Sequence, residues 1–253
     1  MLPLAGRTCL ITGASSGLGA HFARLASRNG ARVVLAARRV ERVAALSEQI
    51  AADGGIALGV AMDVTDETSV GSAYDIAEAA FGPVDTIIAN AGISAPGRST
   101  EIPVAELRAV LDTNVLGVML TAREGARRLI AAGAQGSGCG RIVLIGSITA
   151  DMTGQGETMY SASKAAVAHM GRNLAREWVR QGINVNVIQP GYIRTELSGD
   201  WFDTDGGRAQ IAAFPRRRLQ PIGALDAPLL YLCGDESAHM TGAVFTIDDG
   251  QSL

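Results

Sequence analysis

Aromatic residues are scarce in this 253-residue chain: Phe, Trp and Tyr together make up 4% of it, against 47% hydrophobic residues in all. A core of the size this length allows must therefore be built from Ala, Val, Leu and Ile, which suits helices laid over a buried parallel sheet. Cysteine is also rare. Cys9, Cys139 and Cys233 follow no metal-ligand spacing and leave an odd thiol, so no metal is expected and a reducing, cytoplasmic setting fits. Basic excess is missing, and the formal net charge of −3 excludes a basic nucleic-acid surface. The one dense basic run, Arg216-Arg217-Arg218, reads as a solvated loop. No apolar run reaches the roughly eighteen residues of a membrane span. The start of the chain lacks a charged region followed by a long apolar run, so no signal peptide is expected.

What is abundant is glycine, at 31 residues, which implies many tight turns and close backbone approaches. Between the turns, short β-branched runs alternate with longer amphipathic ones. Strands are expected at 8–12, 32–36, 56–61, 84–89, 141–145, 183–188 and 243–247. Helices are expected at 19–29, 40–53, 66–81, from Pro103 onward, and at about 157–181, with Gly30 closing the first and Pro103 at the first position of its helix. The alternation predicts an α/β fold of one domain over 1–253: a doubly wound, Rossmann-type parallel sheet of about seven strands flanked by helices. Residues 132–140 read as a surface loop. The irregular stretch 195–219 is too long for an ordinary connection and is expected to form a substrate lid.

Directly after the first strand comes Thr12 to Gly19, TGASSGLG. Gly13, Gly17 and Gly19, with Ser15, Ser16 and Leu18 between them, lie at a strand-to-helix turn. Glycines there let the backbone approach a pyrophosphate, and the following helix offers free N–H groups and the positive end of its dipole. After the second strand stand Ala37, Arg38 and Arg39, where dinucleotide folds that bind NAD carry an acidic residue. Ala37 leaves no carboxylate to repel a 2′-phosphate, and either arginine suits one, so NADP(H) is expected over NAD(H).

The strongest local signal is Tyr160-Ser-Ala-Ser-Lys164. Its i, i+4 spacing puts phenol and ammonium on one helix face, where the ammonium favours the phenolate and supports a tyrosine general acid/base. Ser147 ends the fifth strand, placed to hydrogen-bond a substrate oxygen. Substrate contacts are expected from 94–99, from 148–157, from Tyr192, and from Trp201 and Phe202. Met152, Trp201 and Phe202 suggest either an apolar portion of the substrate or packing of the lid.

In order and spacing, these motifs resemble the short-chain dehydrogenase/reductase family, in its short single-domain branch. The resemblance runs from about Leu4 to Gln251. It is carried by TGASSGLG, Asp63-Val64, Asn90-Ala91-Gly92, Asn114, Ser147, Tyr160 with Lys164, and Pro190-Gly191. It implies that Asp63, with Val64, meets the adenine, that Asn90 steadies the central sheet, and that Ala91 and Gly92 pass beside the cofactor. It further implies that Asn114 interrupts its helix and holds a water relaying protons to Lys164. Lys164 also binds the nicotinamide ribose, and Pro190, Gly191, Ile193 and Thr195 border the nicotinamide.

Asn114, Ser147, Tyr160 and Lys164 would then catalyse reduction of a small-molecule ketone or carbonyl to a secondary alcohol, or the reverse, in a homotetramer or homodimer. The alternatives are a 3-oxoacyl (acyl-carrier-protein) thioester reductase, disfavoured by the lack of lysine and arginine just before Arg141, and an idle dinucleotide sensor. Two departures from the family pattern stand out. Asp248-Asp249-Gly250 replaces paired glycines, and Gln220 replaces the glycine after Arg218-Leu219.

Overall fold

In the computed structural model, which describes residues 2–253, every expected strand is present. Met1, the first residue of the expected domain, lies outside the described residues. The elements run β1 (Thr8–Thr12), α1 (Gly17–Arg28), β2 (Arg32–Ala37), α2 (Val40–Ala52), β3 (Ile56–Ala61), α3 (Glu67–Phe81), β4 (Thr86–Ala89), α4 (Val104–Leu111) and α5 (Gly117–Ala131). They continue with α6 (Ala134–Ser137), β5 (Gly140–Ile145), α7 (Thr158–Trp178), β6 (Ile183–Pro190), α8 (Asp205–Ala213), α9 (Asp226–Cys233) and β7 (Val244–Ile247). The strands form one seven-stranded sheet in the order β3-β2-β1-β4-β5-β6-β7, with every pair parallel. All seven carboxyl ends therefore reach the same edge, and the order reverses between β1 and β4, where open α/β sheets hold their ligands.

Alternate strand residues feed two apolar layers. Leu10, Val34, Ile87, Leu144 and Val187 pack with Val70 and Tyr74 of α3, Leu129 of α5 and Trp178 of α7. Ile11, Leu35, Ile88, Val143 and Ile188 pack with Phe22 of α1, Leu46 of α2 and Leu229 of α9. The buried aromatics are few, and aliphatic side chains fill the rest, as composition demands.

Several boundaries differ from the sequence reading. The strand expected from Val84 starts at Thr86, and β6 runs on to Pro190, where Gly191 donates to the Ile247 carbonyl and so extends the pairing with β7. Pro103 sits just before α4, as its cap, and not at its first helical position. The helix that follows is broken: Asp112–Leu116 form a π-helical turn between α4 and α5. The loop 132–140 contains the one-turn α6. The stretch 195–219 is not irregular. It holds two 3-10 turns, Glu196–Ser198 and Trp201–Asp203, and then α8, whose start is capped by the Thr204 hydroxyl accepting from Gly207 N at 3.1 Å.

The arginine run beside it is not simply solvated. Arg216 and Arg218 both pair with Asp249, at 3.2 and 2.8 Å. Asp249 holds a left-handed φ of 56°, a conformation that glycine adopts freely, so its carboxylate trades backbone ease for two ion pairs.

At the opposite edge of the sheet, Arg7 ties three segments together. Its Nη1 donates to Asp85 Oδ1 (3.2 Å), Thr86 Oγ1 (3.1 Å) and the Cys139 carbonyl (3.1 Å), and its Nη2 donates to Asp235. Thr8 N donates to the other Asp85 oxygen at 3.1 Å. Burial pushes the Asp85 carboxyl up against the pull of these donors. Arg7→Ala leaves that carboxylate without its cation and is expected to cost about 3 kcal/mol. Thermal unfolding should register a Tm lower by roughly 6–10 °C; an unchanged Tm would show that the anchor contributes nothing.

Candidate active site

The cleft is built from the loop after β1. Thr12 Oγ1 accepts from Asn90 N and Ala91 N, both at 3.0 Å, and Asn90 Nδ2 donates to the Thr12 carbonyl at 2.9 Å. This draws the ends of β1 and β4 so close that only glycine fits. A Cβ on Gly13, whose φ is +67°, would lie 2.9 Å from Ala91 Cα, and one on Gly19 would lie 2.3 Å from the Gly13 carbonyl oxygen. With those positions bare, the first turn of α1 opens onto the cleft with its N–H groups free of any side-chain cap. That geometry fits the pyrophosphate of a dinucleotide.

The cleft measures about 910 Å³ and gathers nearly all the expected site residues. Gly13, Ser15, Ser16, Gly17 and Leu18 line it, as do Arg38, Arg39, Asp63, Val64, Asn90, Ala91 and Gly92. Ser147, Tyr160, Lys164, Pro190, Gly191, Ile193 and Thr195 complete the set. Gly19 and Asn114 lie behind the lining. Of the expected substrate contacts, Ser94, Pro96 and Gly97, Ile148 and Thr149, Gly154 to Glu157, Tyr192, Trp201 and Phe202 reach the cleft. Ala95, Arg98, Ser99 and 150–153 do not, so Met152 is no part of it. Phe202 is buried edge-on against Tyr192 (6.2 Å between centroids), which is the packing alternative for that residue. Gln210 lines the cleft without having been expected; it comes from the middle of α8, within a stretch that carried no periodic signal.

Asn114 sits at the centre of the π-helical turn, fully buried. Its Oδ1 accepts from Ile93 N (2.8 Å), and its Nδ2 donates to the Ile93 carbonyl (2.9 Å) and to Ser163 Oγ (3.0 Å). Both amide hydrogens are thus committed to protein, and the side chain clamps the loop after β4 to α7. Such single π turns inside helices are uncommon and gather at functional sites.

Lys164 is the only lysine in the chain. It is buried, donates to the Ile145 carbonyl at 2.8 Å, and lies 5.6 Å from the centre of the Tyr160 ring. Burial pulls its ammonium down to about 8. Burial also pushes the Tyr160 phenol up to about 12, with the Ser147 hydroxyl working against the rise and the charge of Glu157 adding to it. The expectation that the ammonium lowers the phenol therefore needs correcting for the protein alone: desolvation outweighs it. Ser147 Oγ in turn accepts from Thr149 N (3.2 Å) and Thr149 Oγ1 (2.9 Å).

At the β2 end, Arg38 is exposed and makes no ion pair among the described residues, whereas Arg39 donates to Ser15 Oγ (3.0 and 2.9 Å) and Ser16 Oγ (2.8 Å). A carboxylate does come near, contrary to the reading from Ala37: Glu196, from the turn after β6, accepts from Arg39 and from Arg42 (2.8 Å). It is more than 150 residues away in sequence, so no local pattern announces it. The Arg39 bond, more than any other contact, holds the Glu196 carboxyl low, at about 2.

Comparison with known proteins bears on this geometry. The family model described as short chain dehydrogenase matches residues 7–206. The chain is 36% identical to cis-4-hydroxycyclohexanecarboxylate dehydrogenase of Sinomonas cyclohexanicum, over 97% of this chain and 96% of that one. It is 30% identical to the 3-oxoacyl-[acyl-carrier-protein] reductase of Salmonella typhimurium over 98% of each. Among solved structures, a gluconate 5-dehydrogenase from Burkholderia cenocepacia in complex with NADP and tartrate superposes with a TM-score of 0.93 and 28% identity, covering 99% of this chain and 97% of that one.

A pH dependence of stability follows from the buried ammonium. Between about 8, the value in the fold, and 10.5, its ordinary value, the unfolded chain binds a proton that the folded chain lacks. Lys164 therefore penalises folding fully below pH 8, and the penalty fades as the pH rises toward 10.5. Against Lys164→Met, the wild type is expected to regain up to about 3 kcal/mol between neutral pH and pH 10. Urea unfolding of both proteins at the two ends of that window measures it; a gap that does not change with pH refutes it.

Proposed function

The chain belongs to the short-chain dehydrogenase family, and from that premise we propose that it interconverts a ketone and a secondary alcohol with NADP(H) as the preferred cofactor. Members are oxidoreductases acting on alcohol and ketone groups with a nicotinamide dinucleotide. The observation that carries the reading is the convergence of Ser147, Tyr160 and Lys164 on the carboxyl edge of the sheet, beside a glycine turn shaped for pyrophosphate. When bound, the dinucleotide supplies or accepts the hydride.

The remaining work falls to the protein. Gly13 to Gly19 hold the pyrophosphate on the start of α1, Asp63 and Val64 take the adenine end, and Asn90, Ala91 and Gly92 line the path between. Pro190, Gly191, Ile193 and Thr195 border the nicotinamide end. A phenol with a value of about 12 is protonated at neutral pH, so Tyr160 is a donor when a carbonyl is reduced. Ser147 shares the substrate oxygen, and the Lys164 ammonium stabilises the phenolate that the donated proton leaves behind. Asn114 positions Lys164 and the loop after β4 through Ser163 and Ile93. In oxidation the same proton returns to Tyr160. Segment 195–219 serves as the lid, since Trp201, Phe202 and Gln210 cover the substrate end.

The preference for NADP(H) rests on Arg38, which makes no ion pair among the described residues, with Arg39 held beside it by Ser15, Ser16 and Glu196; the neighbour that binds NADP supports it. Reduction of a 3-oxoacyl carrier-protein thioester is favoured by relatives of that name, among them the Salmonella typhimurium enzyme, and by no feature of the cleft. The loop 132–140, with no lysine or arginine, offers an acidic carrier protein no counter-charge.

Two measurements test the reading. Tyr160→Phe is expected to lower kcat for ketone reduction by about 10² to 10⁴ while an NADPH titration still saturates; undiminished activity would sink the mechanism. Arg38→Ala is expected to lower the ratio of kcat/KM with NADPH to that with NADH by about tenfold or more, the worth of one charge-assisted bond. Equal losses with both cofactors would remove Arg38 from phosphate recognition.

A further inference from the structure

The charged residues lining the cleft are unevenly distributed. Arg38, Arg39 and Asp63 follow β2 and β3, at the far side of the glycine turn. At the catalytic end only Lys164 and Glu157 carry charge among the described residues, and Lys164 is spent on Ile145 beneath the Tyr160 ring. Arg194, outside the lining, lies against the Phe202 ring at 5.9 Å and is held by both oxygens of Asp203, at 2.8 and 3.0 Å. Among the described residues, the lining of the substrate end therefore holds one carboxylate and no free cation.

Glu157 is half-buried in the wall, three residues before Tyr160. Its Oε2 accepts from Tyr192 Oη at 3.2 Å, while no described residue donates to its Oε1. Tyr192 is itself fixed, its ring stacked on Phe214 with centroids 5.6 Å apart. Gln210 lies in the same wall, its Oε1 taken by Trp201 Nε1 at 2.7 Å. A fixed carboxylate with an open oxygen accepts hydroxyl hydrogens and repels anions.

We infer that Glu157 selects the substrate class. The cleft takes an uncharged ketone or alcohol that carries a further hydroxyl group for Glu157, and it excludes substrates whose remaining part is a carboxylate. This rests on the ketone–alcohol reading above.

The test compares three ring alcohols oxidised with saturating NADP⁺ near pH 8: cyclohexanol, cyclohexane-1,2-diol and 4-hydroxycyclohexanecarboxylate. In the wild type kcat/KM is expected to be more than about tenfold higher for the diol than for the carboxylate, like charge being costly in a partly desolvated wall. Glu157→Gln is expected to shrink that ratio to within about threefold, mainly through KM, and Glu157→Lys to invert it. Because Tyr160 serves all three alcohols equally, a mere shift of the start of α7 leaves the ratio where it was. A wild type that oxidises the carboxylate as well as the diol overturns the inference, as does a ratio that neither variant moves. Cyclohexanol carries neither feature and reads the ketone–alcohol function by itself. If none of the three is oxidised, both readings fall; if cyclohexanol is oxidised and the ratio does not respond to Glu157, only this one does.

Discussion

The whole cleft hangs on the contact between the ends of β1 and β4. Thr12 gathers the two backbone N–H groups of Asn90 and Ala91 on one hydroxyl, and Asn90 returns a bond to the Thr12 carbonyl. The pair is then near enough that a methyl group at Gly13 or Gly19 has nowhere to go. Because this crossing lies at the point where the strand order reverses, it sets two positions at once. The loop after β1 turns toward α1 and presents free N–H groups, while the loop after β4 turns toward Asn114 and the wall that carries Ser147 and Tyr160. Neither half of the site can shift without breaking a bond of the other.

Electrostatics divide the molecule along the strand axis. At the amino edge a buried cation, Arg7, is surrounded by acceptors, and its network is satisfied apart from Nε. At the carboxyl edge the buried cation has a single carbonyl for company, and the phenol beside it is protonated more firmly than in water. The first arrangement stabilises the fold. The second leaves a buried ammonium with one acceptor beside a protonated phenol, which is costly for folding. That local cost supports the catalytic role proposed for the pair.

The sheet was legible because its signal is local: Leu10, Ile11, Val33, Val34, Ile87 and Ile88 lie in short apolar runs bounded by turns. What escaped the sequence depends on distance or on the absence of a period. Helix α9 is apolar on nearly every side and carries Pro228 in its first turn, so no 3.6-residue pattern marks it. Helix α8 begins Asp205-Gly206-Gly207, and paired glycines argue against a helix until Thr204 caps it. The π-helical turn at Asn114 has no compositional mark at all; only the resemblance suggested an interruption there. Glu196 reaching Arg39 and Arg42, and Arg216 and Arg218 closing on Asp249, are pairings between distant segments that no window of sequence contains.

The polarity of the cleft follows from that same topology. Arginines that follow β2 stand on the β3 side of the switch point and Glu157, at the start of α7, on the other, while the turn after β6 sends Glu196 back to Arg39 and Arg42. β2 lies on one side of β1 and β5 on the other, and neither Arg38 nor Arg39 pairs with Glu157 among the described residues. A dinucleotide and substrate bound as proposed would meet opposite charges at the two ends of the cleft. On the readings proposed above, an anionic group is welcome beside Arg38 and unwelcome beside Glu157. Glu196 does not cancel this division, since its charge is already matched by two guanidinium groups. On those proposals cofactor choice and substrate choice rest on different residues, so that either is open to change without disturbing the other.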